Sequence, residues 1–259
     1  MVTRRTLSVV LCGVVATGAL TACGGSGTGK PESKPSPVPS ASDAERMTEA
    51  LEIFRGYRSY GLKGEVRDDV GTRIDLHVDR RGNCAGSYET LGNTTRFVMV
   101  GNQAWEAYDE GGLSSFVELA KLTNPEAVAS TEAAVEKARG KYVEWSAREL
   151  KNALALSLCG TDRAYEELPD SVTTAERGNG GTKDGVRLIS LTHPEEDGEV
   201  VVQVPETGTP TPRHIEFEIG DVPVLVDIDD PNMPFEAEPP APSAVVSADD
   251  ARGLELSIE

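Results

Sequence analysis

Two hydrophobic patterns divide this chain: alternation with period two, which marks strands buried on one face, and apolar residues three or four apart, which mark helical faces. Ser42 and Glu45 have the spacing of a capping box, and Met47, Ala50, Leu51 and Phe54 then share one helical face. A first helix is therefore expected over residues 42–54. After Gly56 the period changes. Residues 60–67 and 73–79 read as strands, and in the second Ile74, Leu76 and Val78 oppose Arg73, Asp75, His77 and Asp79. Turn signals at Asp68-Asp69-Val70-Gly71 and Arg81-Gly82-Asn83 follow each of them. Cys84 opens a strand towards Thr90, Asn93 begins the next connection, and residues 96–100 and 103–108 form a hairpin about Gly101-Asn102. Connections this short predict an antiparallel meander.

The middle of the chain is helical by the same test. Leu113, Phe116, Val117 and Ala120 fall at helical spacing, and Pro125 starts a second stretch that Gly140 ends. Residues 141–145 are a brief extended piece, after which Ser146 and Glu149 cap a helix carrying Leu150, Leu154 and Leu158. Alternation returns in residues 171–177, 185–192, 199–205, 213–219 and 222–228, with turn signals at Asn179-Gly180-Gly181 and Glu196-Asp197-Gly198. Beyond Asp230 a Pro- and Ala-rich arm runs to Pro242, and residues 247–259 show neither face, which predicts a disordered acidic tail. Strands, inserted helices and strands again predict one α+β domain over residues 44–246, a single curved antiparallel sheet with helices packed on it.

The N-terminus is of another kind. Arg4 and Arg5 precede an apolar run through Leu7, Val9, Val10, Leu11, Val14, Val15 and Leu20, with small residues before Cys23. This is the three-part pattern of a secretory signal, too short to span a bilayer. Thr3-Arg4-Arg5 hints at twin-arginine export without completing that pattern. Leu20-Thr21-Ala22-Cys23 is similar to the bacterial lipobox, in which the cysteine takes a diacylglyceryl group and becomes the first mature residue. Residues 1–22 are thus expected to be a lipoprotein signal peptide. Residues 23–43, rich in Gly, Ser and Pro, are expected to be a disordered tether. The domain would then sit outside the cytoplasm, held to the membrane through Cys23 by two acyl chains, enough for stable anchoring.

The formal net charge of -18 excludes nucleic acid as a partner and works against an anionic membrane surface, so the lipid and not charge must hold the protein there. Of four cysteines, Cys12 leaves with the signal and Cys23 is the lipidation site; Cys84 and Cys159 remain, and in an exported domain they are expected to pair. The search for catalytic chemistry is negative. His77 and His214 fall on outward strand faces and His193 lies beside Pro194, so all three read as solvated. No nucleophile elbow, zinc-protease helix, phosphate loop or dinucleotide fingerprint occurs. Asp227, Asp229 and Asp230 lack the glycine and distal glutamate of a calcium loop. No catalytic residue, metal site or cofactor is expected.

Four features carry a family resemblance: the lipobox at Cys23; Gly82-Asn83-Cys84-Ala85-Gly86 entering a strand; the strand pair around Gly101-Asn102 and Trp105; and the segment from Pro234 to Val246 after the last strand. In these, and in the order of its elements, the chain resembles the LolA-like superfamily and, within it, the actinobacterial lipoproteins of the LppX and LprG type. The resemblance implies a half-barrel with helices over its concave side and an apolar cavity for acyl chains or a lipidated partner. Phe97, Met99, Val200, Val202, Ile215 and Phe217 would wall that cavity. Without the resemblance, core packing alone accounts for the same residues. The implied function is a non-enzymatic, membrane-anchored extracytoplasmic lipoprotein that binds a lipid, a glycolipid or a lipidated protein. The alternative is a regulatory or protein-interaction lipoprotein of the same fold with no ligand cavity.

Overall fold

Helix α1 (Asp43–Gly56) begins where the Ser42 hydroxyl accepts from the Glu45 N–H and the Glu45 carboxylate accepts from the Ser42 N–H. It buries Met47, Ala50, Leu51 and Phe54, the face its spacing predicts. The computed structural model describes residues 41–146, 157–159, 168–196 and 198–254, and from Ser40 onward the chain forms one compact unit. The helix expected after Ser146, with Glu149, Leu150 and Leu154, lies outside the described residues.

Five strands follow as a meander: β1 (Ser59–Val66), β2 (Thr72–Asp79), β3 (Cys84–Thr90), β4 (Asn93–Val100) and β5 (Gln103–Tyr108). Asp68 fixes the first turn by accepting from Gly71 and Thr72. Asp79 fixes the second; its carboxylate is hydrogen-bonded by Asn83 and Arg81. Asn93 is already in a strand rather than in a connection. Leu91 and Gly92, both at positive φ, make the two-residue turn that matches strand twist, so pairing begins earlier than expected. Helix α2 (Glu110–Thr123), capped by Asp109, and helix α3 (Val128–Ala138) lead to β6 (Tyr142–Ser146). The second group is β7 (Glu176–Lys183), β8 (Val186–Pro194), β9 (Glu199–Pro205), β10 (His214–Ile219), β11 (Val222–Asp229) and the short β12 (Val245–Val246).

These strands form one open sheet in the order β12-β6-β5-β4-β3-β2-β1-β11-β10-β9-β8-β7, antiparallel except where β12 runs parallel to β6. The fold is α+β, and the sheet curves without closing. Register puts one row of buried side chains across it, from Trp145 through Ala104, Met99, Cys84 and Val78 to Tyr60. A parallel row runs Val226, Ile215, Val202, Leu191. All of them lie on one face, and the helices cover that same face. Helix α1 packs with the larger cluster, which spans β1–β5 and β8–β11; α2 and α3 pack with a smaller one beside β6. Gly64 and Gly86 lie on this inner face, where an added Cβ would stand 1.9 Å from the Leu225 carbonyl and 2.1 Å from that of Asp75. Backbone approach this close marks a tight bend of the sheet towards the helices.

Two further expectations are corrected. Asn179-Gly180-Gly181 is no hairpin turn but a bulge within β7, while residues 171–175 precede the strand. The turn is made by Asp184 and Gly185, also both at positive φ, and the bulge uses the freedom of Gly181. Nor is the C-terminal segment structureless as far as Leu254. After β11 the Phe235 ring stacks on His77 at 4.8 Å, on the outer face of the sheet. Past β12, Ala251 and Leu254 are buried against α3. Ala248, Ala251 and Leu254 recur every third residue, a spacing obscured by Asp249 and Asp250 between them.

Candidate functional site

The predicted lipidation site, Cys23, and the predicted tether up to Ser40 lie outside the described residues. The two other cysteines come together: Cys84 in β3 and Cys159 form a disulfide with Cα atoms 5.5 Å apart. Both are fully buried in the larger cluster, as is Leu158 beside the bond. The disulfide thus pins residues 157–159, which lie between β6 and β7 in chain order, to the inner face of the sheet.

The six residues expected to wall a cavity share that face. Phe97 and Met99 come from β4, Val200 and Val202 from β9, Ile215 and Phe217 from β10, and all six belong to the larger cluster, at most 6% exposed. The inner face also carries a group that the sequence reading missed. The two-residue turn at Gly101-Asn102 pairs Phe97 with Glu106, which places Glu106 on the apolar side and its large neighbour Trp105 on the outer one. Glu106 is 4% exposed. Tyr88 donates to one carboxylate oxygen at 2.8 Å and Tyr108 to the other at 2.5 Å. Trp145 lies across the strand pair, its indole N–H buried short of good hydrogen-bond geometry. Burial pushes the Glu106 carboxyl upward against the opposing pull of Tyr108, Tyr88 and Trp145, and burial with the nearby acid raises both tyrosines. Among the described residues no cation pairs with Glu106. Tyr88 packs with the larger cluster and Tyr108 with the smaller, so the acid stands at the seam between them. The signal was present in the hairpin, because a two-residue turn fixes every pair behind it.

The outer face is polar. A cavity of about 650 Å³ there is lined by Lys63, Arg73, Asp75, Glu89, His214 and Asp227 among others. Its polar groups are largely paired: Lys63 with Asp75 at 3.1 Å and Arg73 with Glu89 at 3.3 Å as ion pairs, and His214 hydrogen-bonded with Asp227 at 2.8 Å. His214 is therefore no free solvated imidazole; its side chain is 18% exposed and also contacts Glu216. Asp227 and Asp229 both serve Lys183, and no group of three or more metal-ligating side chains occurs among the described residues. A second cavity of about 440 Å³ lies by the β8–β9 and β10–β11 turns, and of the six wall residues it touches only Val200.

No protein-family model matches the chain, and no curated protein matches its sequence. Solved structures do resemble it. LprF from Mycobacterium bovis aligns with a TM-score of 0.48 at 10% identity, over 77% of this chain and 97% of its own. Lipoprotein LppX from Mycobacterium tuberculosis aligns at 0.43 and 12%, over 76% and 98%. An uncharacterized conserved protein from Thermus thermophilus aligns at 0.30 and 11%, over 78% and 97%. The first two are of the type that the sequence resembles. At such identities no ligand and no activity passes from them to this chain.

Proposed function

We propose that this chain is a non-enzymatic, lipid-anchored extracytoplasmic protein that holds an amphiphile against the inner face of its sheet. The observation that carries this reading is Glu106 at the seam of that face. An amphiphile needs apolar walls and a few placed polar groups, and here one carboxyl and two tyrosine hydroxyls are set into an otherwise apolar surface. A buried acid without a cation costs stability that a leucine would not, so packing alone does not account for it. Cys23 would tie the domain to the membrane from which such a ligand comes.

One observation favours the second reading, a lipoprotein that meets a protein partner and holds no ligand: all six expected wall residues are closed into a packed cluster. Native mass spectrometry of the mature chain carrying Cys23→Ser separates the two. The carrier reading expects a co-purified lipid of defined mass that organic extraction removes. A ligand-free protein that also takes up no added lipid would refute it and leave the partner reading.

A further inference from the structure

Arg213 is an arginine on the apolar side of the sheet. It ends the β9–β10 loop and stands opposite Ile228, whose N–H its carbonyl accepts at 3.0 Å. Ile228 is buried in the larger cluster, so alternation puts the Arg213 side chain on the inner face, away from that of His214. There it is half-buried, and among the described residues neither an ion pair nor a hydrogen bond engages its guanidinium. The chain holds 43 acidic residues against 25 basic ones, and most of its other described arginines answer carboxylates, as Arg55 does Asp170, Arg177 does Asp43 and Arg187 does Glu206. Arg213 answers none.

Tyr57 meets it from the helix. The residue is the C-cap of α1 and 4% exposed, and its buried hydroxyl has no hydrogen-bond partner among the described residues. Burial pushes that hydroxyl up and the charge of Arg213 pulls against it, so the two groups lie within electrostatic reach. Phe54 and Tyr60 pack on the Tyr57 ring, with centroids 6.0 and 6.5 Å away. The Arg213 backbone is fixed as well: its N–H donates to Gln203 at 2.9 Å, and Arg46 of α1 holds the loop ahead of it by donating to the Pro205 carbonyl at 2.8 Å. Beside them Arg80 donates to the Tyr57 carbonyl at 2.6 Å and has no carboxylate partner among the described residues. Solvation would account for an arginine at the rim. It does not account for a buried hydroxyl, whose missing bond costs stability.

We propose that Arg213 and Tyr57 form an oxyanion site for a phosphate group, the one carried by the head of the amphiphile. The two non-bridging oxygens of a phosphate diester match the fork of a guanidinium and leave a lone pair for the tyrosine hydroxyl. The site rests on the reading of the inner face as the seat of an amphiphile, and it gives that ligand a direction. Glu106, on a strand six places from β10 in the sheet order, has two tyrosine hydroxyls committed to itself and offers an anion nothing. The head belongs at the β10 end.

Isothermal titration of the mature chain carrying Cys23→Ser tests this with three probes: dihexanoyl phosphatidylglycerol below its micelle concentration, dihexanoylglycerol with the same chains and no phosphate, and inorganic phosphate. The phospholipid should bind more tightly than the neutral lipid. Arg213→Gln should weaken its binding about tenfold and Tyr57→Phe by a smaller factor, as a charge-assisted and a single hydrogen bond would. Both variants should keep the native circular dichroism and the parent's affinity for dihexanoylglycerol. Equal affinity for the two lipids, or a phospholipid affinity that survives Arg213→Gln, overturns the proposal and leaves the amphiphile reading standing. Inorganic phosphate that binds through Arg213 while neither lipid binds keeps the oxyanion site, makes free phosphate its ligand and refutes the amphiphile reading. Binding of none of the three overturns both.

Discussion

Replacing both Cys84 and Cys159 with alanine removes the one covalent link among the described residues that holds the inserted segment to the sheet. The two cysteines are 75 residues apart, and closing a loop of that length in the unfolded chain corresponds, in the chain-entropy account, to about 4.5 kcal/mol at 25 °C. Both sulfurs are fully buried, so the small cavity left by the sulfur atoms adds to this loss. For a domain of about two hundred residues, unfolding entropy near 60 °C is roughly 0.4 kcal/mol/K, which turns the loss into a fall in Tm of about 10 °C. Urea unfolding followed by tryptophan fluorescence gives both the free energy and the slope. The slope should rise, because an unlinked unfolded chain exposes more surface. A loss below about 1 kcal/mol, with the slope unchanged and the native circular dichroism intact, would refute the reasoning.

Two further predictions rest on single residues. Glu106→Gln keeps the size of the side chain and removes its titration. Burial raises the wild-type carboxyl, so its contribution to stability is full below the ordinary glutamate range and is lost as pH rises through the folded-state value. The variant should therefore be close to the wild type at pH 4, where acid and amide are both neutral and each can pair with both tyrosine hydroxyls, and gain on it as pH rises, by about 1.4 kcal/mol for each unit by which folding raises the acid. Melting curves of the two proteins that stay parallel from pH 4 to 9 would contradict it. Cys23→Ser should release the protein from the membrane or leave its precursor uncleaved; fractionation that finds unchanged membrane retention of a processed chain would contradict lipidation.

Much of the architecture was legible because it is written in short-range pattern. The capping box of α1, the alternation of Ile74, Leu76 and Val78, and the paired glycine turns each depend on residues within a few positions of one another. What was not legible depends on register or on distant partners. Strand β5 looks as if Trp105 should face the core, and only its pairing with Phe97 turns Glu106 inward. His214 faces outward as its position requires, yet Asp227 on the next strand pairs with it and keeps it from being simply solvated. The end of the domain was hidden by composition. Asp249 and Asp250 gave the last residues an acidic character, while Ala251 and Leu254 between such polar neighbours are the ones that dock. Choosing Cys84 and Cys159 as partners needed only the removal of the two other cysteines, but that the link fastens an inserted segment onto the sheet's inner face needed the fold.

The central claim, that an amphiphile lies on the inner face, can be read from the two tryptophans. Trp145 points to that face beside Glu106, and Trp105 to the opposite one. In Trp105→Phe the remaining fluorescence comes from Trp145; in Trp145→Phe it comes from Trp105. Lipids brominated along their acyl chains quench tryptophan only at close range, so titrating both variants with such a lipid in sub-micellar amounts locates the chains. The account predicts saturable quenching of Trp145 and little change in Trp105. Equal quenching of both, or none of Trp145 while the lipid binds, would contradict it.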